Sequence, residues 1–566
     1  MTSRDSPPAR PALPRESWLV TALVAALLLQ LLYGLTSDGI TDDEPIYVAS
    51  GYRHLLGDFR TTREQPPFAK VLAALPLLIL HPRVPELGRN ENPEAWSFGV
   101  VHAQNDDKPL VPRARLPAVV GTALLCLVAW SWARAAAGPG VALLTLAFLT
   151  FQPALLAHGH LATTDLFAAL WMLVASAAFW LFIGQASLGR AVLTAMALGL
   201  GVSTRLTAWL LAPLFLVLAL VARSGKGGWR RRARAVSLLA GATVVVVPLV
   251  IWASYGFRFE PWPGAPASFA SHPAGHVGEL LRWTAHHRLL PEAYLEGARF
   301  QLSHAVSGHH AYLLGQRSDK GFPHYYLVAL LVKNTPGFLL LAGVAAWLAA
   351  TRKPPPGNAR LHWLTTAAAI VAGASAGRVN IGERYILAAY PYLILWIAST
   401  IGAAWGSPRV RRAVGMALAA HVAPILLAAP SGYLSYFNLI AGGAQGGHRW
   451  LADSNLDWGQ DLPRLAGWIR ASGEPCVRLA YFGSDEPDHY GIRYDHLYSG
   501  PGDHPGHPVQ CSPTAPVVLS PNVMLGFLDP SGADPYAGLR ARAPDERAGI
   551  FFVYRPARGD DSSPPS

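Results

Sequence analysis

The chain has 566 residues, of which 51% are hydrophobic and only 14% carry a charge. Soluble domains carry roughly 25% charged residues, and apolar runs recur here from Trp18 to about Leu427, so a soluble globular protein is excluded. The formal net charge is +11. Because the basic residues cluster in short links between apolar runs, positive-inside topology accounts for them, and we exclude nucleic acid as a partner.

The apolar runs predict a polytopic α-helical membrane protein with about eleven transmembrane helices. Arg4, Arg10 and Arg15 precede the first run and no small-residue cleavage site follows it, so we expect a retained signal anchor. The predicted spans lie near residues 18–36, 115–134, 140–157, 165–184, 190–204, 206–222, 236–254, 325–349, 361–377, 385–404 and 412–429.

The links between spans predict the orientation. If the N-terminus is cytoplasmic, the strongly basic links at 223–234, 351–360 and 408–412 all fall on the cytoplasmic side. Residues 1–17 are then a cytoplasmic tail, and residues 18–430 are a transmembrane domain. Its large loops, 37–114 and 255–324, lie on the outer face.

The first outer loop opens with three consecutive acids, Asp42, Asp43 and Glu44. Residues 45–56 fit a short helix lying along the membrane surface, and residues 68–80 are apolar but too short to span. Two interpretations of the acids stay open. They could cap the short helix, with Thr41 or Asp42 as the cap, or they could form a reaction site at the lipid boundary.

Composition changes after residue 430, where no run is long enough to span. Short β-like runs at 476–482, 516–520 and 550–554 predict a small extracytoplasmic α/β domain over 431–556, followed by a disordered tail at 557–566. Cys476 and Cys511 lie in this part and could form a disulfide. Near its start, Asp453 could cap a helix that runs to Ile469. Equally, the segment could bind sugar through Asp453, Asn455, Asp457 and Trp458.

Further polar groups recur at the predicted outer ends of other spans, where hydropathy alone would not place them. They predict an acidic and basic pocket at the outer leaflet. There, arginine and lysine could hold a lipid-linked phosphate as a leaving group, and one carboxylate could deprotonate an acceptor hydroxyl. The groups are His158, His160, Thr164, Asp165, Arg205, Lys333, Asn334, Arg378, Glu383, Arg384 and Tyr385.

Several short motifs in order resemble those of membrane glycosyltransferases with the GT-C fold. The most similar group contains the protein O-mannosyltransferases and the bacterial lipid A aminoarabinose transferase. The resemblance covers roughly residues 18–430. It rests on Asp43-Glu44, Gln65-Pro66-Pro67-Phe68, His160-x-x-x-Thr164-Asp165, Tyr312-Leu313-Leu314-Gly315, Gly321-Phe322-Pro323-His324-Tyr325-Tyr326, Lys333-Asn334-Thr335-Pro336 and Gly382-Glu383-Arg384-Tyr385.

The resemblance implies roles for individual residues. Asp43 would be the general base, with Glu44 and Asp165 as further catalytic carboxylates. Arg205 stands where lysine is expected in many relatives, which weakens its match because the two are not equivalent phosphate ligands. Donor phosphate binding falls to Lys70, Arg205, Lys333 and Arg384, and sugar or acceptor binding to His160, Glu383, Tyr385, Asp453, Asn455, Asp457 and Trp458.

The implied activity is an inverting transfer of a sugar, mannosyltransferase-like, from a polyprenyl-phosphate donor. The acceptor is a hydroxyl of a protein or glycolipid at the outer face of a bacterial cytoplasmic (inner) membrane. No cofactor is expected. A divalent metal is not favoured, because lysine and arginine can neutralise the phosphate. The rival class is a membrane transporter or a flippase for lipid-linked sugars, which would use the same charges as a pathway, although no inverted repeat is visible.

Overall fold

The computed structural model describes residues 15–88, 91–221, 228–262, 276–351, 358–500, 506–526 and 534–556. Most of the predicted N-terminal tail and the whole predicted tail at 557–566 lie outside these residues. The helices up to the sheet-forming part are α1 (Arg15–Ser37), α2 (Glu44–Leu55), α3 (Phe68–Ala74), α4 (Pro93–Phe98), α5 (Asp107–Ala137), α6 (Pro139–Thr150), α7 (Pro153–His158), α8 (Asp165–Gly184), α9 (Leu188–Val202), α10 (Leu211–Val221), α11 (Gly228–Ser254), α12 (His276–His286), α13 (Glu292–Ser307), α14 (Tyr325–Val332), α15 (Pro336–Thr351), α16 (Asn358–Ala376), α17 (Ala389–Gly402) and α18 (Pro408–Ala428).

Long apolar helices make the chain a polytopic membrane protein. Within the described ranges, five helices are long and apolar enough to cross a membrane, namely α1, α5, α8, α11 and α18. The pair α14 and α15 makes a sixth if it counts as one span. The predicted number of about eleven is not confirmed. Helices do occupy the remaining predicted spans, but α6, α9 and α17, among others, are shorter than a bilayer-crossing helix.

Two predicted spans are not continuous. The helix predicted over 325–349 is broken between α14 and α15, which are bent by 117°. The break contains Lys333, Asn334 and Thr335, and Pro336 then starts α15 because proline lacks the N–H that a continuing helix would use. The span predicted over 140–157 is likewise divided, since α6 ends at Thr150 and α7 begins at Pro153.

The short helix predicted after the three acids is present as α2, but its predicted place on the membrane surface is wrong. A surface helix would expose one face to lipid or water, whereas within α2 only Ile46 and Leu55 are not buried. The chain of the first loop folds over it, and α3 and α4 pack against it. The helix is therefore a core element, and the residues at its N-terminus are held rigidly.

The remaining strands and helices lie in the last predicted outer loop and the C-terminal part. The strands are β1 (Ala311–Leu313) and β2 (Gln316–Ser318), which form a separate hairpin, then β3 (Val477–Ala480), β4 (Tyr494–His496), β5 (Val517–Leu519), β6 (Glu546–Ala548) and β7 (Phe551–Tyr554). The helices are α19 (Gly443–Gly446), α20 (Leu462–Ser472), α21 (Pro521–Leu525) and α22 (Ala537–Arg540).

The C-terminal part contains a five-stranded mixed sheet in the order β4-β3-β5-β7-β6. The three predicted β-like runs form its three central strands, β3, β5 and β7. Leu462, Leu465 and Ala466 of α20 share one hydrophobic cluster with the sheet and with Tyr325 and Tyr326 of α14.

Cys476 and Cys511 are joined by a disulfide, and their Cα atoms lie 5.8 Å apart. Cys476 stands directly before β3 and Cys511 precedes β5. Because β3 and β5 are parallel neighbours, both strands begin at the same end of the sheet, and the bond links the two chain segments that lead into them. Cys126 is a free, buried thiol in α5.

Candidate active site

The N-terminus of α2 carries a partly exposed ion pair. Arg384 donates from Nη1 to Asp43 Oδ2 at 2.7 Å, and the two side chains are 8% and 24% exposed respectively. Asp43 is the residue immediately before α2, but its side chain does not cap the helix. The predicted cap is Thr41 or Asp42, and Thr41 does donate its backbone N–H to Glu44 Oε2 at 2.9 Å, three residues further on. The Asp43 carboxylate instead faces a cation and is partly exposed.

Arg384 is packed between aromatic rings. Its guanidinium carbon lies 4.1 Å from the ring centre of Trp458 and 5.9 Å from that of Tyr385. Its Nε is buried and has no hydrogen-bond partner among the described residues. The sugar-stacking role predicted for Trp458 is not supported, because its indole is buried and one face is covered by Arg384. Arg384 in contrast holds Asp43 with one nitrogen and keeps another donor unused.

A second arginine approaches the same tyrosine. Arg205 lies 4.7 Å from the ring centre of Tyr385 and forms an ion pair with Asp165 at the N-terminus of α8. The hydroxyls of Thr164 and Ser203, next to this pair in the chain, are buried without hydrogen-bond partners among the described residues. Two guanidinium groups around one ring, with unused donors beside them, make an anion-binding arrangement.

Two more carboxyl groups border the ion pair. Asp42 and Asp453 are both partly exposed. Burial first, then the charge of Asp43, raises the pKa of Asp42 to about 8. Burial also raises the pKa of Asp453 to about 6, against the lowering effect of Arg384. Asp453 does not cap α20, whose N-cap position is Asp461, so that interpretation of the segment is wrong. These shifts leave Asp43 as the carboxylate paired with a cation while Asp42 keeps its proton at neutral pH.

The raised pKa of Asp42 makes stability depend on pH. A carboxyl group with a folded pKa near 8 and an unfolded pKa of 3.8 contributes stability below about pH 4, and this contribution is lost as the pH rises through 8. We expect the midpoint of thermal unfolding in detergent to fall between pH 5 and 8, and to fall less in Asp42→Asn. The exposed variant Asp545→Asn, whose partner is Arg542 rather than a histidine, should keep the wild-type slope. Equal slopes in all three proteins would contradict a protonated Asp42.

Lys333, Glu383 and Asn455 form a buried network of their own. Lys333 donates from Nζ to the carbonyl oxygens of Leu434 (2.7 Å) and Asn455 (2.6 Å), and lies 3.5 Å from Glu383 Oε1. Tyr390 donates its hydroxyl proton to Glu383 Oε2 at 3.0 Å. Because these groups are almost fully buried and already paired, the phosphate role predicted for Lys333 and the sugar roles predicted for Glu383 and Asn455 are not supported. They close the break between α14 and α15.

Glu44 is an anchor in the structure, and the catalytic role predicted for it is not supported. Its side chain is fully buried, with Arg115 donating from Nε (2.8 Å) and Nη2 (2.6 Å) to the two carboxylate oxygens. Thr41 adds its backbone N–H (2.9 Å) and its hydroxyl (3.1 Å), and Ala162 its backbone N–H (2.9 Å). With five donors on two oxygens, the carboxylate has no free edge for a substrate.

Lys70 and Asp457 also have internal partners. Lys70 donates from Nζ to the carbonyl oxygens of Thr62 and Gln65, each at 2.7 Å, and burial lowers its pKa to about 7. Asp457 accepts the Asn522 backbone N–H at 3.2 Å, and burial raises its pKa to about 7. The predicted phosphate contact of Lys70 and sugar contact of Asp457 are therefore not supported. Lys70 holds loop backbone in place, and Asp457 holds the start of α21.

His160 belongs to a network of polar and charged side chains that the sequence did not predict. Its Nε2 lies 3.1 Å from Asp38 Oδ2, and Nδ1 lies 2.9 Å from the Leu156 carbonyl oxygen. Arg464 of α20 donates to Asp38 Oδ1 at 2.7 Å and to Asp461 Oδ1 at 2.6 Å. His160 is fully buried, so its predicted sugar role is not supported. This network connects the end of α1 to α20.

The sequence did not predict the structural roles of four residues around the site. They are Asp38, Asp42, Arg115 and Arg464. Arg115 is the first residue of the predicted span 115–134 and follows Arg113 by two positions, so the sequence does not distinguish it from an ordinary basic residue at a membrane boundary. Nothing in the sequence signals the partners of Asp38 and Arg464, because they lie far apart along the chain.

Comparison with known proteins bears on the segment that carries Lys70, Asp165 and Arg205. Residues 55–261 match the family model for dolichyl-phosphate-mannose-protein mannosyltransferase. The resemblance is confirmed over that segment. Asp43, Arg384 and Asp453 lie outside it. A comparison with curated protein sequences gave no match.

Among solved structures, the chain is similar to ArnT from Cupriavidus metallidurans bound to undecaprenyl phosphate, with 18% identity over 95% of this chain and 97% of that one and a TM-score of 0.48. It is similar to the Archaeoglobus fulgidus oligosaccharyltransferase AglB in complex with an inhibitory peptide and a dolichol-phosphate, with 13% identity over 88% of this chain and 62% of that one and a TM-score of 0.48. The Saccharomyces cerevisiae Pmt1-Pmt2 complex bound to the sugar donor matches over 44% of this chain and 34% of that one, with 14% identity and a TM-score of 0.34.

Proposed function

We propose that this protein is an inverting glycosyltransferase that moves a sugar from a polyprenyl-phosphate donor to an acceptor hydroxyl, on a protein or a glycolipid. The reaction takes place at the outer face of a bacterial cytoplasmic membrane. The match of residues 55–261 to a family whose donor is dolichyl-phosphate-mannose supports the lipid-linked donor. The charge pattern of the loops supports the side of the membrane.

The Asp43–Arg384 pair is the observation that carries the proposal. Arg384 contacts Asp43 at 2.7 Å while its buried Nε has no partner among the described residues. One guanidinium can therefore hold a base at one edge and a phosphate at another. Arg205, on the same tyrosine ring, supplies a second cation for the second negative charge that the phosphate gains when it leaves as polyprenyl phosphate.

The chemistry follows from these positions. The donor phosphate binds Arg384 and Arg205, which places the anomeric carbon near Asp43. Asp43 takes the acceptor's hydroxyl proton as the acceptor oxygen bonds to the anomeric carbon, and the bond from that carbon to the phosphate oxygen breaks. The electron pair leaves on polyprenyl phosphate, whose charge the two arginines stabilise. Because phosphate leaves without being protonated, one carboxylate is sufficient, unlike in a glycosidase.

Arg384→Lys is predicted to impair donor binding. A lysine has a single point charge and cannot contact the base and the phosphate from two edges. Losing one charged hydrogen bond costs about 1.5–3 kcal/mol, so kcat/KM for the donor should fall roughly 10- to 100-fold, with KM rising. Arg378→Lys, an exposed change six positions earlier in the same loop, should behave as wild type. An unchanged donor KM in Arg384→Lys would contradict the phosphate role.

The proposed function is tested with the purified full-length protein in proteoliposomes. Polyprenyl-phosphate sugars are supplied in turn, mannose among them because the matched family transfers it, together with a pool of membrane glycolipids and unfolded peptides. We expect release of polyprenyl phosphate coupled to labelling of one acceptor class. Transbilayer movement of the intact donor with no transfer to any acceptor would overturn the proposal in favour of a flippase.

The broken helix formed by α14 and α15 does not favour a transporter. Transporters use such breaks to line a substrate pathway with polar groups. Here Lys333, Asn334 and Thr335 are almost fully buried, and Asn334 bonds to Gln152 (2.8 Å) and Tyr390 (3.1 Å). The break is filled by protein rather than open to a pathway.

A further inference from the structure

Four potential metal ligands converge where the first large loop meets the C-terminal part. They are His102 and Asp107 from the loop, and Asp485 and His489 from the segment between β3 and β4. One ligand atom from each of the four side chains lies within 4.8 Å of the other three. Two of them are almost 400 positions from the other two in the sequence, so only folding brings them together.

Asp107 is buried at the centre of this cluster, between the imidazoles of His102 and His489. Asp107 Oδ2 lies 3.1 Å from His102 Nδ1 and 2.7 Å from His489 Nδ1, so one carboxylate oxygen serves two imidazoles. The His102 side chain is only 6% exposed, yet its Nε2 is buried without a hydrogen-bond partner among the described residues. The residue lies in a π-helical turn, Gly99–Ala103, and such turns are rare and are often found at functional sites.

Asp485 is fixed by neighbours that do not belong to the cluster. Its Oδ2 accepts the Ile40 backbone N–H at 2.8 Å and the Tyr490 hydroxyl at 2.6 Å, and its Oδ1 accepts the Glu486 backbone N–H at 2.9 Å. Such outer hydrogen bonds orient metal ligands and raise affinity. Asp485 is thus held in place before any ion arrives, which reduces the cost of binding.

We propose that His102, Asp107, Asp485 and His489 bind one zinc ion. Two imidazoles and two carboxylates make a four-ligand nitrogen and oxygen set that suits zinc, whereas magnesium and calcium prefer oxygen ligands alone. The two carboxylate charges match the dication. The ion replaces the Asp107 bridge between the two imidazoles.

The zinc site holds two segments of the chain together and takes no part in the reaction. It joins the loop that carries α2 to the segment between β3 and β4. Asp485 also holds Ile40, which lies three residues before Asp43 in the chain. Zinc therefore stabilises the position of the catalytic stretch without contacting the donor, and this inference does not depend on the proposed activity.

The test measures metal content of the full-length protein in detergent. After incubation with zinc and removal of the excess, elemental analysis should find about one zinc per chain in the wild type and less than a tenth of that in His102→Ala and His489→Gln. The matched control is His304→Ala. His304 and His309 are also two histidines in contact, but they lie outside the proposed zinc site. This variant should keep the full zinc content. Equal zinc content in all four proteins, or none in the wild type, would overturn the proposal.

A second measurement separates a lost ligand from a misfolded variant. Chelator treatment should lower the midpoint of thermal unfolding of the wild type, and added zinc should restore it. The same treatments should leave His489→Gln unchanged, since its partly exposed side chain can be replaced without opening the core. If the chelator shifts His489→Gln as much as the wild type, the zinc lies elsewhere and the proposed ligands are wrong.

Discussion

Asp43→Asn should lower the rate of sugar transfer by about 10²- to 10⁴-fold, the contribution typical of a general base. The asparagine side chain has nearly the same shape, and it can still accept a hydrogen bond from Arg384, but it cannot take the acceptor's proton. The donor should therefore bind nearly as well as before, so the loss falls on kcat rather than on KM. The measurement is polyprenyl phosphate release in proteoliposomes, with donor binding followed separately.

The control for this variant is Asp319→Asn, the same chemical change at a side chain that is 80% exposed. It should leave transfer unchanged. Near-normal transfer by Asp43→Asn would remove this residue as the base, and Asp453, another carboxyl group beside Arg384, would become the next candidate. A fall in folded protein instead of in kcat would mean that the pair with Arg384 is structural.

Glu44→Gln should destabilise the protein by about 3–5 kcal/mol, because breaking a buried ion pair leaves the remaining charge uncompensated. Glu44 is fully buried and Arg115 is 2% exposed. We expect a lower midpoint of thermal unfolding and a poorer yield, while the folded fraction keeps its activity. The double variant with Arg115→Gln should lose less than the sum of the two single variants, since they break the same pair.

Glu16→Gln is the contrasting case. It breaks an ion pair with Arg134, whose side chain is 53% exposed, and such surface pairs contribute little to stability. If Glu44→Gln were as stable as Glu16→Gln but inactive, the anchoring role would be wrong and the catalytic role first predicted for Glu44 would return.

Adjacent acids in one motif have different environments in the folded protein. The motif resemblance selects Asp43 over Asp42 and Glu44, and the structure gives the three acids different surroundings for a physical reason. Glu44 is the first residue of α2 and points to Arg115, Asp43 points to Arg384, and Asp42 has no cation of its own among the described residues. A one-residue step along the chain turns a side chain by about 100° at a helix start, so neighbours meet different partners.

Two of the four cations predicted to bind phosphate have partners inside the protein. Lys70, Lys333, Arg205 and Arg384 were all candidates for the phosphate, but both lysines donate to backbone carbonyl oxygens inside the protein. Sequence distinguishes a charged residue at a helix end from an apolar one, but not a cation that closes a loop from one that faces a ligand. Both kinds occur at the same depth and in the same short motifs.

Composition and hydropathy by themselves determined that this is a polytopic helical membrane protein, and they located its β-like C-terminal runs. These features depend on residues close together in the chain, whose side chains must match lipid, water or a pleated sheet locally. Only the tertiary structure decided which charges meet. Asp43 and Arg384 are 341 positions apart, and the break between α14 and α15, the burial of α2 and the His102–Asp107–Asp485–His489 cluster all depend on packing across such distances. A buried charge is tolerated only beside a partner, and only the folded chain brings that partner within reach.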